Sequence, residues 1–246
     1  MGTLYLVRHG QASFGADDYD NLSALGQQQS RRLGEYFQQK GLRFDAVLTG
    51  TLRRHQQTYA GIQVGMGASF TAGPPQGETA PSGGSAAHEV ASVGAHLLWP
   101  GLNEYDSAAV IAAIHPHTLD KPDTPERYRH HFRLLRDGLT QWMNGVVSPQ
   151  GMPSYREFQH GVTSALDHIR KHCEGNVLLV SSGGPIATAI GHVLGTTPET
   201  TIELNMRIRN SAVTEFAFNP KRHVLMTFNT LPHLDHADQA SWISYA

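Results

Sequence analysis

The chain twice sets a short apolar run directly before an abrupt change to small, polar or cationic residues. Thr3 to Val7 runs into Arg8 His9 Gly10, and Asn176 to Val180 runs into Ser181 Ser182 Gly183 Gly184 Pro185 and then the apolar segment Ile186 to Leu194. Runs of this length, bounded by Gly or Pro, read as strands buried on both faces. A third run, Phe44 to Thr49, leads through Gly50 into the helical segment Leu52 to Ile62. Strand, tight turn and helix in succession call for parallel strands joined by crossover helices. The expected fold is therefore α/β: a three-layer sandwich with a mainly parallel central sheet between helices. Ligands of an open sheet of this kind sit in the crevice beyond the strand carboxyl ends. That brings Arg8, His9, Arg54 and Ser182 under consideration together, however far apart they lie in sequence.

The remaining segments fit around this frame. Leu25 to Phe37 reads as a helix with Ser23 as its N-cap. Ser107 to His172 reads as mostly helical, broken near Pro116 to Pro125 and Pro149 to Pro153, packing on one side of the sheet and over its carboxyl edge as a lid. Ala212 to Phe218 and His223 to Phe228 read as a hairpin at a sheet edge around Asn219 Pro220 Lys221. Residues 64–94 are dominated by Gly, Ala, Ser, Pro and Thr without periodicity, too little apolar surface to offset the entropy of ordering, and are expected to be a flexible insertion. The whole of 1–246 is expected to be a single domain, and its 39% hydrophobic content suffices for a core.

A formal charge of -2 supplies no basic field for nucleic acid or an acidic membrane, so any anion site must be local. The single cysteine, Cys173, excludes an intramolecular disulfide and has no zinc-type spacing around it. The fifteen histidines lie mostly in polar stretches and form no metal motif. Met1 leads straight into the first strand without a basic leader, and no apolar run is long enough for a membrane span, so a cytoplasmic protein is expected. Arg127, Arg129 and Arg133 read as a solvated helix face.

The residues at the strand ends carry a family resemblance. Leu6 Val7 Arg8 His9 Gly10 Gln11 Ala12 Ser13 directly after the first strand looks like the defining motif of the histidine phosphatases, a phosphoglycerate-mutase-like superfamily. Thr51 Leu52 Arg53 Arg54 His55 Gln56 Gln57 Thr58 resembles the superfamily's second motif, and Asp20 Asn21 Leu22 Ser23 Ala24 Leu25 Gly26 stands between them at the matching spacing. The resemblance implies a phosphomonoester hydrolase that works through a phosphohistidine on His9, with Arg8 and Arg54 as the phosphate clamp. It also implies Ser13 and Gln11 as phosphate contacts and no metal or other cofactor. The residue types suit the chemistry: a neutral imidazole attacks phosphorus without prior deprotonation, and two guanidiniums fork onto the nonbridging oxygens.

Leu102 Asn103 Glu104 Tyr105 Asp106 resembles the acid-bearing segment of the superfamily, with Glu104 the first choice for the proton donor and Asp106 the reserve. Leu97 Leu98 Trp99 just upstream are candidates for the apolar surroundings that would raise a carboxyl pKa. One position departs from the pattern: Ser182 stands where most members carry a second catalytic histidine. Its hydroxyl can still donate to phosphate beside Gly183 and the free amides of a helix start, but it brings no charge. Loss of one such donor costs about 10²- to 10³-fold in rate unless something replaces it, and His55, His115 and His192 are the candidates for doing so. The alternative is thus a weak or inactive phosphate-ester binder. A mutase is the less favoured reading, because no Glu- and Arg-rich substrate segment is present. The expected partner is a small phosphorylated substrate or a phosphoprotein; a homodimer through an exposed edge strand stays open.

Overall fold

The computed structural model describes residues 1–12, 20–67, 96–117, 119 and 123–245. Its frame is a six-stranded sheet in the order β3-β2-β4-β1-β5-β6, built from β1 (Gly2–Arg8), β2 (Ala46–Thr49), β3 (His96–Leu98), β4 (Asn176–Ser181), β5 (Val213–Asn219) and β6 (Arg222–Thr230). The four strands from β3 to β1 are parallel, while β5 runs antiparallel to β1 and β6 antiparallel to β5. The helices are α1 (Ala24–Gln39), α2 (Arg53–Gly65), α3 (Ser107–Ala112), α4 (Pro125–Met143), α5 (Tyr155–His172), α6 (Gly183–Leu194) and α7 (Pro198–Asn205).

The period-two alternation of side chains along a strand sorts the core into two layers. Leu4 and Leu6 of β1 join Val177 and Leu179 of β4, packed with Val162, Ala165 and Ile169 of α5 and Ile186 and Ile190 of α6. Val7, Leu178 and Val180 point the other way, onto Leu33 and Phe37 of α1 and Tyr59 and Ile62 of α2. Both sheet faces are thereby covered, as parallel strands require. A smaller cluster joins Val110 and Ile111 of α3, Leu135, Leu139 and Trp142 of α4, and Ile202 of α7.

Local signals explain where several elements begin and end. Ser23 caps α1 by accepting the Gly26 N–H, and Ser154 and Glu157 form a reciprocal capping box at the start of α5. The hairpin between β5 and β6 turns on Asn219, whose side-chain oxygen accepts the Lys221 and Arg222 N–H groups at 2.8 and 3.1 Å. The expected hairpin is present at one edge of the sheet, with β5 paired to β1 and β6 outermost. α2 continues through Gly65, two residues into the stretch read as an insertion. Most of that stretch falls outside the described residues. β3 and α7, at three and eight residues, are too short for periodicity to declare them.

The parallel register places Arg8 of β1 opposite Ser181 of β4, so the next residues along, His9 and Ser182, leave the sheet at the same level. β2 ends on Thr49 beside Val180. Three carboxyl ends therefore open onto one crevice.

Candidate active site

His9 leaves β1 with its backbone still tied to its neighbours: its N–H donates to the Ser181 carbonyl at 2.9 Å, and its carbonyl accepts from the Ser211 N–H at 3.1 Å. The ring is 3% exposed. Its Nδ1 lies 2.7 Å from the Gly10 carbonyl oxygen. A carbonyl only accepts, so Nδ1 carries the proton and Nε2 holds the lone pair. Burial, then the Arg8 and Arg54 guanidiniums and His55, hold the imidazole well below its usual pKa, outweighing the Gly10 hydrogen bond that pulls it up. The ring is therefore neutral near pH 7, with the Nε2 lone pair free of a proton.

Arg54 is the second residue of α2 and 6% exposed. Its Nη1 meets Asp20 Oδ1 at 2.8 Å, while Asp20 Oδ2 accepts the Arg53 N–H at 2.9 Å. The Asp20 carboxylate thus joins the start of α2 to the guanidinium, combining a helix N-terminus with a cation. Arg8 is held by backbone: its Nη1 donates to the carbonyl of Ile208 and, at 2.5 Å, to that of Tyr245.

Glu104 follows a 3₁₀ turn at Pro100–Leu102. Its Oε2 accepts the Gly184 N–H at 3.1 Å, and its Oε1 accepts the Tyr105 N–H at 3.2 Å. Burial raises its pKa, opposed by the Gly184 amide and by the positive charges of Arg54 and Arg8. Gly184 is required here by close approach, because a Cβ at that position would sit 2.2 Å from Glu104 Oε1. Asp106, by contrast, is exposed and caps α3 by accepting the Ala108 and Ala109 N–H groups. Of the two acids, Glu104 is the one in the crevice.

Ser182 and His55 are both fully buried, and Ser182 Oγ lies 2.7 Å from His55 Nε2. The His55 ring stands 5.8 Å from that of His9, centroid to centroid. Burial and Arg54 push the His55 pKa down to about 3. Of the three histidines considered as substitutes for a missing charge, His55 is the one beside His9, and it is neutral. His115 packs against His117 and His130, and His192 lies in the last turn of α6.

A family model described as the histidine phosphatase superfamily (branch 1) matches residues 4–74 and 121–231. The chain belongs to this superfamily. Among curated proteins none matches the sequence at a significant level. Solved structures share the fold at low identity. A phosphoserine phosphatase from Entamoeba histolytica has a TM-score of 0.58 at 19% identity, covering 95% of this chain and 100% of that one. An α-ribazole phosphatase from Shigella flexneri has 0.60 at 18%, covering 93% and 96%. A phosphoglycerate mutase from Bacillus anthracis has 0.60 at 15%, covering 94% of each.

Within the histidine phosphatase frame, the structure brings His9, Arg8, Arg54, Glu104, Ser182 and Gly183 to one crevice. Gly183 opens α6 and is buried against Asn205. Gln11 lies at its border, with its side-chain oxygen accepting the Ser23 hydroxyl at 2.8 Å and its N–H donated to Gln29. Those contacts fasten the end of β1 to α1. Ser13 lies outside the described residues. Leu97 and Trp99 pack into the main core and Leu98 is exposed, and the aromatic ring that lies with Glu104 against Gly184 is Tyr105.

Three further participants have no signature in the sequence. Asp20 lay inside a quoted motif, yet its bridge to Arg54 has no local signature. Asn103 Oδ1 accepts the Thr51 N–H at 2.7 Å and fixes the turn after β2. The third is the chain after Leu234: Ser244 and Asn210 exchange hydrogen bonds, the Trp242 carbonyl accepts from Gln29 Nε2 at 2.6 Å, and the Tyr245 carbonyl holds Arg8. No helix among the described residues is long and apolar enough to cross a membrane.

Proposed function

We propose that the protein is a metal-independent phosphomonoester hydrolase that forms a phosphohistidine on His9. The observation that carries this reading is the state of His9: a buried neutral imidazole whose Nδ1 proton is held by Gly10, with Arg8 and Arg54 near enough to depress its pKa. Nε2 attacks phosphorus, the N–P bond forms and the ester P–O bond breaks, and Glu104 gives its proton to the departing oxygen. Water then attacks the phosphohistidine, Glu104 takes the proton, and the N–P electron pair returns to Nε2 as phosphate leaves. Arg8 and Arg54 neutralise the negative charge on the oxygens of the transferring group, the task a metal performs elsewhere.

The substrate class is a small soluble phosphomonoester. Several proteins that share this fold are named for such substrates, phosphoserine and α-ribazole phosphate among them. Hydrolysis is preferred over mutase chemistry because the sequence lacks the basic substrate segment a mutase needs to hold its product.

A second reading has its own observation. Ser182 and a neutral His55 leave the crevice poorer in charge than a pair of histidines would, which suits a protein that binds a phosphate ester without turning it over. Hydrolysis of p-nitrophenyl phosphate in chelator-treated buffer, compared with His9→Ala, decides between them. The expected result is turnover that the substitution abolishes, with ³²P trapped on His9 at short times. Binding of vanadate without any turnover between pH 5 and 8 would favour the binder.

A further inference from the structure

Ser182 occupies the N-cap position of α6, yet its side chain does not cap the helix. The two amides it would ordinarily receive are withdrawn: the third helical residue is Pro185, which has no N–H, and the N–H of the second, Gly184, is given to Glu104. The hydroxyl turns instead to His55 Nε2 at 2.7 Å. This contact has two possible polarities, and they have opposite consequences. If Nε2 is the acceptor, the Ser182 proton is spent on it. If Nε2–H is the donor, the Ser182 proton is left for something else.

The other ring nitrogen discriminates between them. His55 Nδ1 is buried with no hydrogen-bond partner among the described residues. It packs against Gly50, where a Cβ would come within 2.2 Å of it. A buried N–H without an acceptor is rarer in folded proteins than a bare lone pair. The proton therefore belongs on Nε2, aimed at Ser182 Oγ.

Resting on the reading of His9 above, we propose that His55 and Ser182 form one donor unit, in which His55 Nε2–H donates to Ser182 Oγ and commits the Ser182 hydroxyl proton to a nonbridging oxygen of the phosphoryl group bound at His9. The β1–β4 register supports the aim, since Ser182 leaves the sheet level with His9. His55 is a positioning residue that acts through Ser182, and Ser182 is the group that touches the phosphoryl oxygen. With its pKa near 3, His55 contributes direction and polarisation rather than charge.

The test is a double-mutant cycle on the full chain with Ser182→Ala, His55→Phe and the pair, read both as turnover of p-nitrophenyl phosphate and as vanadate affinity. Ser182→Ala should lower kcat by about 10²-fold, the effect of deleting one preorganised donor. His55→Phe should lose nearly as much, and the double variant should be no worse than Ser182→Ala. His55→Gln, which keeps an N–H donor, should recover most of the loss. Wild-type rates and affinity in His55→Phe, or two losses that multiply, would overturn the proposal. Because His55→Phe has to fold for the cycle to be read, the tautomer is also measured in the unaltered protein by ¹⁵N NMR of the His55 ring. A proton on Nδ1 would sink the idea without any substitution. Wild-type protein with no His9-dependent turnover would defeat the phosphatase reading alone, since the cycle in vanadate affinity still decides whether the two side chains act together.

Discussion

In the proposed mechanism a neutral His9 needs no base to attack phosphorus, so the proton problem of the reaction moves entirely to the leaving oxygen and to Glu104. That separation has a measurable signature. An aryl oxide departs without help, whereas an alkoxide does not, so removal of the acid should penalise alkyl phosphates selectively. Glu104→Gln is expected to lower turnover of an alkyl phosphate by about 10²-fold or more and that of p-nitrophenyl phosphate much less, the usual reach of general acid catalysis. Because burial raises the Glu104 pKa, wild-type kcat on the alkyl ester should fall as pH rises through the range where Glu104 ionises, and this alkaline limb should vanish in Glu104→Gln. Equal losses on both esters would remove Glu104 from the role. At this scale the sequence was informative wherever a residue sat at a strand end. Arg8, His9 and Ser182 were legible because short continuous apolar runs stop at or just before them. The partnership of Ser182 with His55, across 127 positions, and of Asp20 with Arg54 was not, because a hydrogen bond between distant segments leaves no periodic trace.

Elements deliver these groups through close backbone approach. α6 begins where β4 ends, and its first turn has to admit the Glu104 carboxylate, which explains a glycine at 184. Gly184→Ala would place a methyl 2.2 Å from Glu104 Oε1 and 2.5 Å from the Tyr105 ring, so the acid has to move. The expected outcome is a selective loss of alkyl-phosphate turnover of at least about tenfold, with a stability cost of about 1–3 kcal/mol for overpacking. Kinetics of the variant on the two esters, together with its urea midpoint, read both effects. Unchanged alkyl-phosphate turnover would show that the Glu104 position is not set by α6. The strands β1, β2 and β4 and the helices α1, α2 and α5 were readable from pattern and caps, since each buries a continuous face. β3 was hidden by its length of three residues. The tail from Leu234 to Tyr245 was hidden because its contacts are made largely by backbone carbonyls, which any residue supplies.

Across the whole molecule, the histidines tie the integrity of the crevice to pH. His55 and His233 are fully buried, with pKa values pushed down to about 3 mainly by burial, and His223 is held at about 4. His233 also supports the site directly: its Nε2 is 2.9 Å from Ser211 Oγ, and Ser211, at a positive φ of 56°, donates its N–H to the His9 carbonyl. An unfolded chain protonates each imidazole near pH 6.5, while the folded chain leaves it neutral down to pH 3 or 4. Between those limits the unfolded state binds more protons, so stability is complete above about pH 6.5 and is lost as pH falls, by up to about 1.4 kcal/mol per pH unit for each fully buried histidine. His9 acts in the same direction, and Glu104, whose pKa is raised, acts in the opposite one. Several imidazoles outweigh one carboxyl, so the melting temperature should drop steadily from pH 7 to pH 4.5. His233→Gln should flatten the slope by the share of one histidine. A melting temperature level across that range would mean that these rings take up protons in the folded protein, and that the neutral His9 required by the proposed phosphoryl transfer is not protected by the fold.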